Sequence, residues 1–288
     1  MASKGFLEQK RSSYVDILDG QLRVHQFGTE GPPVILLHGG GTDSGLLSWK
    51  ATIPALADSF RVVVPDWPGY GESPLMEGAH RLDRMGDMVG ELIEVLDLQS
   101  ADVVGVSMGG GAALNLALRM PERVNKLVLV DSYGLQQRVS MQFLSWLVVR
   151  IPFMIRGTWA LLRKSRWMTR WTLKSIMHQK DAVTPGLVEE VYQAVQHRSS
   201  AEAFYAFQRY EVLPGRLRTC YLGQLHGINI PAQLIHGEND SLVPLRWARE
   251  AAWLIYGAEL VVMPQCGHWP QRENPALFNR TLKSFLEE

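Results

Sequence analysis

Gly105-Val106-Ser107-Met108-Gly109 lies where an apolar run ends and a run of small residues begins. Asp102 to Val106 is short and valine-rich, as in a strand buried on both faces. Gly109-Gly110-Gly111-Ala112-Ala113-Leu114 opens a helix expected to run to about Met120. A chain that turns this sharply from strand to helix pushes the side chain at the bend outward, at the helix N-terminus. Glycines two residues before and two after the bend remove the Cβ atoms that would clash there. The Ser107 hydroxyl is thereby expected at the edge of a sheet, as in a nucleophile elbow. The bare pattern constrains little. Its strand-and-helix setting constrains a great deal.

The alternation extends in both directions. Tyr14 to Leu18 and Leu22 to Phe27 flank Asp19-Gly20, a turn pair that predicts a hairpin. Val34 to Leu37, Arg61 to Val64, Val103 to Val106 and Leu127 to Val130 are apolar runs of strand length. Helical patterns near 48–57, 81–97 and 109–120 separate them. This rhythm predicts an α/β fold, a mostly parallel central sheet flanked by helices. It stops after Asp131 and resumes with strands at Ala232 to His236 and Glu259 to Met263, then a closing helix from about Pro275 to Leu286. Residues 134–223, helical in character, therefore read as an insertion between late strands. The expected organisation is a core domain from 1–133 and 224–288 with a helical cap at 134–223.

A serine hydroxyl is a poor nucleophile at neutral pH. It needs a base within hydrogen-bond reach and a carboxylate to orient that base. In such a sheet the acid and then the histidine follow the serine, each just after a late strand. Asp240, in His236-Gly237-Glu238-Asn239-Asp240, and His268, in Gln265-Cys266-Gly267-His268-Trp269, occupy those places. Ser107, Asp240 and His268 thus fall at C-terminal strand ends, where open α/β sheets bind ligands. His38-Gly39-Gly40-Gly41 follows the third strand, and its glycines let backbone N–H groups approach a substrate. The amides of Gly40 and Met108 are the expected oxyanion hole. Gly39, Gly41 and Trp269 are expected in the substrate pocket.

Asp131 also follows a strand and is a rival for the acid, because a triad is defined by geometry rather than chain order. Asp66 reads as a turn-maker. His38 and His236 end apolar runs and read as structural, while His25, His80, His178, His197 and His226 have neither glycine-rich nor carboxylate context. No cluster has metal-ligand spacing and no phosphate loop with its lysine occurs, so neither metal nor cofactor is expected.

Together these motifs resemble the α/β-hydrolase fold superfamily over essentially the whole chain. The set comprises His38-Gly39-Gly40-Gly41, Asp66-Trp67-Pro68-Gly69-Tyr70-Gly71-Glu72-Ser73, Val106-Ser107-Met108-Gly109-Gly110, Gly237-Glu238-Asn239-Asp240 and Gly267-His268-Trp269. Two branches are similar: the carbon–carbon hydrolases of aromatic-ring degradation and the monoacylglycerol-lipase-like esterases. The former usually carry asparagine before the nucleophile and a polar side chain in the oxyanion loop, where this chain has Val106 and Trp49. The resemblance therefore implies a serine hydrolase that cleaves lipophilic carboxylic esters through an acyl-enzyme. Carbon–carbon cleavage of a dienoate is the alternative, and a slow hydrolase used as a ligand sensor would carry the same residues. Dehalogenases and epoxide hydrolases of this fold use an aspartate nucleophile, and Ser107 argues against them.

Charge sharpens the picture. With 29 basic and 29 acidic residues no global field favours nucleic acid. Between Gly134 and Lys180, however, nine basic residues occur with no acidic one, so the remainder of this neutral chain carries the opposite nine. The same window holds Trp146, Trp159, Trp167 and Trp171. Such helices can pack their apolar faces on the core and snorkel Arg and Lys into water. They can also lie on an anionic membrane, and peripheral contact of that kind is the sharper expectation. Two cysteines are too few for a disulfide framework, and Met1 to Phe6 lacks the apolar core of a signal peptide. Phe143 to Ile155 is broken by Arg150 and Pro152 and is too short to span a bilayer. A cytoplasmic protein is expected.

Overall fold

A computed structural model describes residues 11–288 apart from the side chain of Arg198. The Met1 to Phe6 segment used above lies outside the described residues. The hairpin forms as β1 (Arg11–Ile17) and β2 (Gly20–Phe27), paired antiparallel. The apolar runs form β3 (Pro33–Leu37), β4 (Arg61–Pro65), β5 (Ala101–Val106), β6 (Val124–Val130), β7 (Ala232–Gly237) and β8 (Glu259–Met263). They make one eight-stranded sheet in the order β1-β2-β4-β3-β5-β6-β7-β8. β2 pairs antiparallel with β4, and from β4 onward every neighbour is parallel.

The period-2 alternation of strand side chains divides the core between two faces. Ile35, Leu37, Val103, Leu127 and Leu129 point into one apolar cluster, and Val34, Leu36, Val104, Val128 and Val130 into the other. All six residues of β5 are buried, which is what a strand covered on both faces requires. On the first face lie α1 (Leu82–Val95), whose Leu82, Met85, Met88, Val89, Leu92 and Ile93 recur at helical spacing, and α2 (Met108–Arg119).

Between β6 and β7 the chain forms α3 (Gln142–Val148), α4 (Pro152–Lys164), α5 (Arg166–Ile176), α6 (Pro185–Val195) and α7 (Arg198–Glu211). Ser165 and Thr184 cap α5 and α6 by accepting from Met168 N and Leu187 N. The insert leaves and rejoins the sheet side through a narrow neck, where Tyr221 N donates to Gly134 O (2.7 Å) and Leu217 N to Gln137 O (2.8 Å). Trp159, Leu162 and Leu173 join the apolar cluster that holds Val106 and Val130. The four tryptophans do not share one surface. Trp159 is buried in that cluster and Trp146 is half-buried beside Arg150, against a small separate cluster of Val149, Val212 and Leu217, while Trp167 and Trp171 are exposed.

After β7 comes α8 (Arg246–Leu254), which packs on the first face, and after β8 comes α9 (Pro275–Glu287), capped by Asn274, on the second. Two differences from expectation have local causes. The helix expected at 48–57 is two single turns, Gly45–Ser48 and Ile53–Leu56, since the Pro54 ring cannot continue a helix from the preceding turn. The helix α8 was not anticipated: its inward residues include Ala248 and Ala251, too small to mark an apolar stripe. Among the described residues no helix is long and apolar enough to cross a membrane.

Candidate active site

Ser107 occupies the bend between β5 and α2 with φ 50° and ψ −117°, a left-handed conformation that few non-glycine residues adopt. Its neighbours hold it there. Ser107 N donates to Val130 O (2.9 Å), and Ser107 O accepts from Gly111 N (3.1 Å) and Tyr133 N (3.0 Å). The flanking glycines are dictated by contact: a Cβ on Gly105 would come within 2.4 Å of Gly109 O, and one on Gly109 within 2.5 Å of Leu37 O.

The structure brings three of the expected residues into one hydrogen-bonded line. His268 Nε2 lies 2.9 Å from Ser107 Oγ, and His268 Nδ1 lies 2.7 Å from Asp240 Oδ2. A carboxylate can only accept, so Nδ1 carries the imidazole hydrogen and Nε2 is the free acceptor facing the serine hydroxyl. That is the tautomer a base requires. Asp240 Oδ1 accepts from Leu242 N (2.7 Å) and Val243 N (3.0 Å), which fixes the carboxylate after β7. Burial alone would raise the Asp240 carboxyl, but His268 and the Val243 amide outweigh it and hold the group below its ordinary range.

The loop carrying His268 is braced from two sides. His268 N donates to Ile176 O at the end of α5 (2.9 Å). Glu273, which the sequence reading did not single out, accepts from Gly267 N (2.7 Å) and Gln179 N (2.9 Å). No spacing rule points to Glu273, because its partners are backbone groups from a distant segment.

Gly39 and Gly40 lie against the serine. A Cβ on Gly39 would meet Ser107 Cβ at 3.4 Å, and one on Gly40 would meet Met108 Sδ at 3.4 Å. Met108 is the first residue of α2, where helix geometry leaves amides without an intrahelical acceptor. The Gly40 and Met108 loops therefore converge beside the hydroxyl. A cavity opens there, lined by Gly39, Gly40, Thr42, Asp43, Val106 and Trp269, and from the insert by Leu162, Thr169, Leu173, Ile176, Val191 and Val195. Gly41 is not among the lining residues: it turns the loop away at φ 80° with nothing within 4 Å of its Cβ position. The cavity side chains of the insert were invisible in the sequence, since helices α4 to α6 carry no motif.

Among the described residues of that wall, Asp43 and His268 carry ionisable side chains in the acid-to-neutral range. Asp43 Oδ2 accepts from Gly39 N (2.9 Å) and its Oδ1 from Ser44 N (2.8 Å). Burial pushes its carboxyl above the ordinary range, against His38 and those amides. Trp269 is pinned by a hydrogen bond from Nε1 to Ser48 Oγ (3.2 Å), whereas Trp49 is wholly buried against Phe278.

The remaining candidates take other places. His38 bonds Gly39 O and accepts from Trp67 N, and Asp66 accepts from Gly45 N and Glu72 N, so both organise loops. His236 Nε2 lies 2.7 Å from Val243 O. Asp131 is buried with Oδ1 3.5 Å from His236 Nε2, and the carboxylate bonded to His268 Nδ1 is that of Asp240. Burial above all, and then the charge of Glu273, push the Cys266 thiol up to about 12.

A family model described as alpha/beta hydrolase fold matches residues 32–275. The 2-hydroxymuconate semialdehyde hydrolase of Pseudomonas sp. (strain CF600) is 31% identical over 270 residues, covering 92% of this chain and 90% of that protein. A 2-hydroxy-6-oxononadienedioate/2-hydroxy-6-oxononatrienedioate hydrolase of Paraburkholderia phymatum is also 31% identical, with 97% and 96% coverage. Among solved structures, a meta-cleavage product hydrolase from Pseudomonas fluorescens superposes with a TM-score of 0.79 at 29% identity, covering 98% of each chain.

Proposed function

The chain belongs to the alpha/beta hydrolase fold family, and we propose that it hydrolyses carboxylic esters with an uncharged, apolar acyl group through an acyl-enzyme on Ser107. In this mechanism His268 Nε2 takes the Ser107 proton as Oγ attacks the ester carbonyl. The amides of Gly40 and Met108 receive the negative charge that develops on the carbonyl oxygen. Collapse of the tetrahedral intermediate expels the alcohol, which leaves with the proton held on His268. Water, deprotonated by the same nitrogen, then releases the acid and restores Ser107. Asp240 keeps its charge throughout and holds the imidazole in register.

The observation that carries this proposal is the cavity wall. Leu162, Leu173, Ile176, Val191 and Val195 face the cavity beside Thr42, Thr169 and Thr172, with the carboxyl of Asp43 and no lysine or arginine among its described residues. An uncharged acyl chain gains about 0.8 kcal/mol for each methylene buried there. A dienedioate carries two carboxylates, and an anion buried without a cationic partner is strongly disfavoured. A second mode of action, cleavage of a carbon–carbon bond in a dienoate, is favoured by the names of the relatives at 31% identity. Steady-state rates on p-nitrophenyl esters of increasing chain length, beside one meta-cleavage dienoate, separate the two. A higher kcat/KM on the esters supports the proposal, and a higher value on the dienoate overturns it.

We propose further that the helical insert acts as a cap that rests on anionic membrane. Among the described residues, nine of the sixteen large, exposed apolar side chains fall within 141–171, including Phe143, Phe153, Leu161, Trp167 and Trp171. Exposed Arg156, Lys164 and Arg170 lie among them. Exposed aromatic and cationic side chains suit the headgroup zone of a bilayer.

A further inference from the structure

Behind the Ser107–His268–Asp240 line lies a second buried acid that the mechanism above does not use. Asp131 follows β6 with φ 41° and is wholly buried. Its Oδ1 accepts from Gly237 N (2.8 Å), whereas its Oδ2 has no hydrogen-bond partner among the described residues. Asp131, His236 and Asp240 converge, with one polar atom of each within 4.8 Å of the others.

Two acids this close and this deep need a positive charge or a proton between them. A cation fits poorly. His236 Nε2 faces both acids, at 3.5 Å from Asp131 Oδ1 and 3.6 Å from Asp240 Oδ2. That nitrogen also lies 2.7 Å from Val243 O, a carbonyl that can only accept, so it carries a hydrogen and has no lone pair for a metal. Nor does His236 supply the charge, since burial lowers its pKa and keeps it neutral. The other ionisable groups around the pair are His268, Glu273 and the Cys266 thiol, and none of them is a lysine or arginine.

We propose that Asp131 and Asp240 share one proton, carried on Asp131 Oδ2 and donated toward Asp240, and that Asp131 is thereby a positioning residue for the catalytic acid. This rests on Asp240 being the acid that orients His268. The hydrogen bonds decide which acid is neutral: Asp240 accepts three, from Leu242 N, Val243 N and His268 Nδ1, and Asp131 only one. The proton gives the otherwise orphaned Oδ2 a bond to make. Burial and then the Asp240 charge push the Asp131 carboxyl well above its ordinary range, which agrees with a neutral acid at pH 7. Asp240 is then steadied by a donor that brings no charge of its own.

The test compares wild type with Asp131→Asn, which keeps a donor at that oxygen, and Asp131→Ala, which does not. Difference infrared spectra at pH 8 are expected to show the carbonyl stretch of a protonated carboxyl in wild type that both variants lack. Asp131→Asn is expected to keep kcat within about threefold and to lose any decline in rate at alkaline pH, while Asp131→Ala falls about tenfold or more, a typical cost for an orienting hydrogen bond. Absence of the band from wild type, or a loss in Asp131→Asn as deep as in Asp131→Ala, overturns the proposal. If Asp131→Asn does not fold, Asp131→Ser replaces it in the spectral comparison. Full activity in Asp240→Asn would overturn the assignment of Asp240 as the acid, and the band reports on the proton independently of that result.

Discussion

Phe204, on α7 of the insert, occupies the space that any side chain on Gly40 would need: a Cβ there would come within 2.9 Å of the Phe204 ring. The oxyanion loop and the insert are therefore fitted to one another. Gly40→Ala is expected to push the loop off Phe204 and displace the Gly40 amide, lowering kcat by about 10²–10³-fold. Phe204→Ala in the same chain opens that space and is expected to restore much of the rate. Steady-state kinetics of the single and double variants check this, and an unrescued double variant would place the fault in the backbone instead.

The proposed acyl-enzyme predicts covalent capture. A serine-directed phosphonate is expected to add one equivalent of mass, mapped to Ser107 by peptide analysis, and Ser107→Ala to take up none. Asp240→Asn is expected to lose on the order of 10⁴-fold in turnover, since the imidazole would settle in the wrong tautomer. Labelling at another residue would refute the mechanism.

Asp102, buried on β5, predicts a pH dependence of stability separate from catalysis. Burial pushes its carboxyl from 3.8 up to about 6, against the pull of the Lys126 charge. The folded protein thus holds a proton that the unfolded chain releases between these values. Stability from this group is full below about pH 3.8 and is lost as pH rises to about 6. Asp102→Asn removes that loss, and is expected to stabilise the protein by about 2–3 kcal/mol at pH 7.5 and by little at pH 4. Thermal unfolding at the two pH values reads the difference. An equal shift in Tm at both would mean that ionisation is not the cause.

Contact with membrane predicts binding to anionic vesicles that weakens with salt, because exposed charges are screened beyond about 8 Å at physiological ionic strength. Arg166 is the wrong residue to change, being paired with Glu189. Reversing Lys164 and Arg170, or replacing Trp167 and Trp171 with serine, is expected to reduce vesicle binding several-fold and leave hydrolysis of a short, water-soluble ester unchanged. A vesicle sedimentation assay checks it. Indifference of the native protein to anionic vesicles at low salt would reduce the basic helices to a solvated face.

What could be read from the sequence is what local rules encode. The strands were legible because Val34 to Leu37 and Val103 to Val106 are apolar and short, and the bend at Ser107 because two glycines bracket it. Ser107, Asp240 and His268 could be singled out because each follows a strand whose end is marked. Leu162, Leu173 and Val195 could not. Their approach to the serine depends on how five helices fold back over the sheet, and apolar spacing alone does not say which turn of a helix meets a cavity. The proton of Asp131 was hidden for the same reason, since the number of donors reaching each acid emerges only in three dimensions.

The neck between Gly134 and Tyr221 makes the insert separable in a way that neither strand order nor charge conveys. Both ends of the roughly 90-residue excursion meet at the neck, so the entropy of closing that loop grows by only about 0.6 kcal/mol per doubling of its length. Ser107 is laid down before the excursion begins, and Asp240 and His268 after it returns. The triad and much of the cavity wall thus come from separate stretches of chain that meet at two joints. A transplanted insert would have to respect those joints and also replace Ile176 O and Gln179 N, which brace the His268 loop, and Phe204, which fits Gly40.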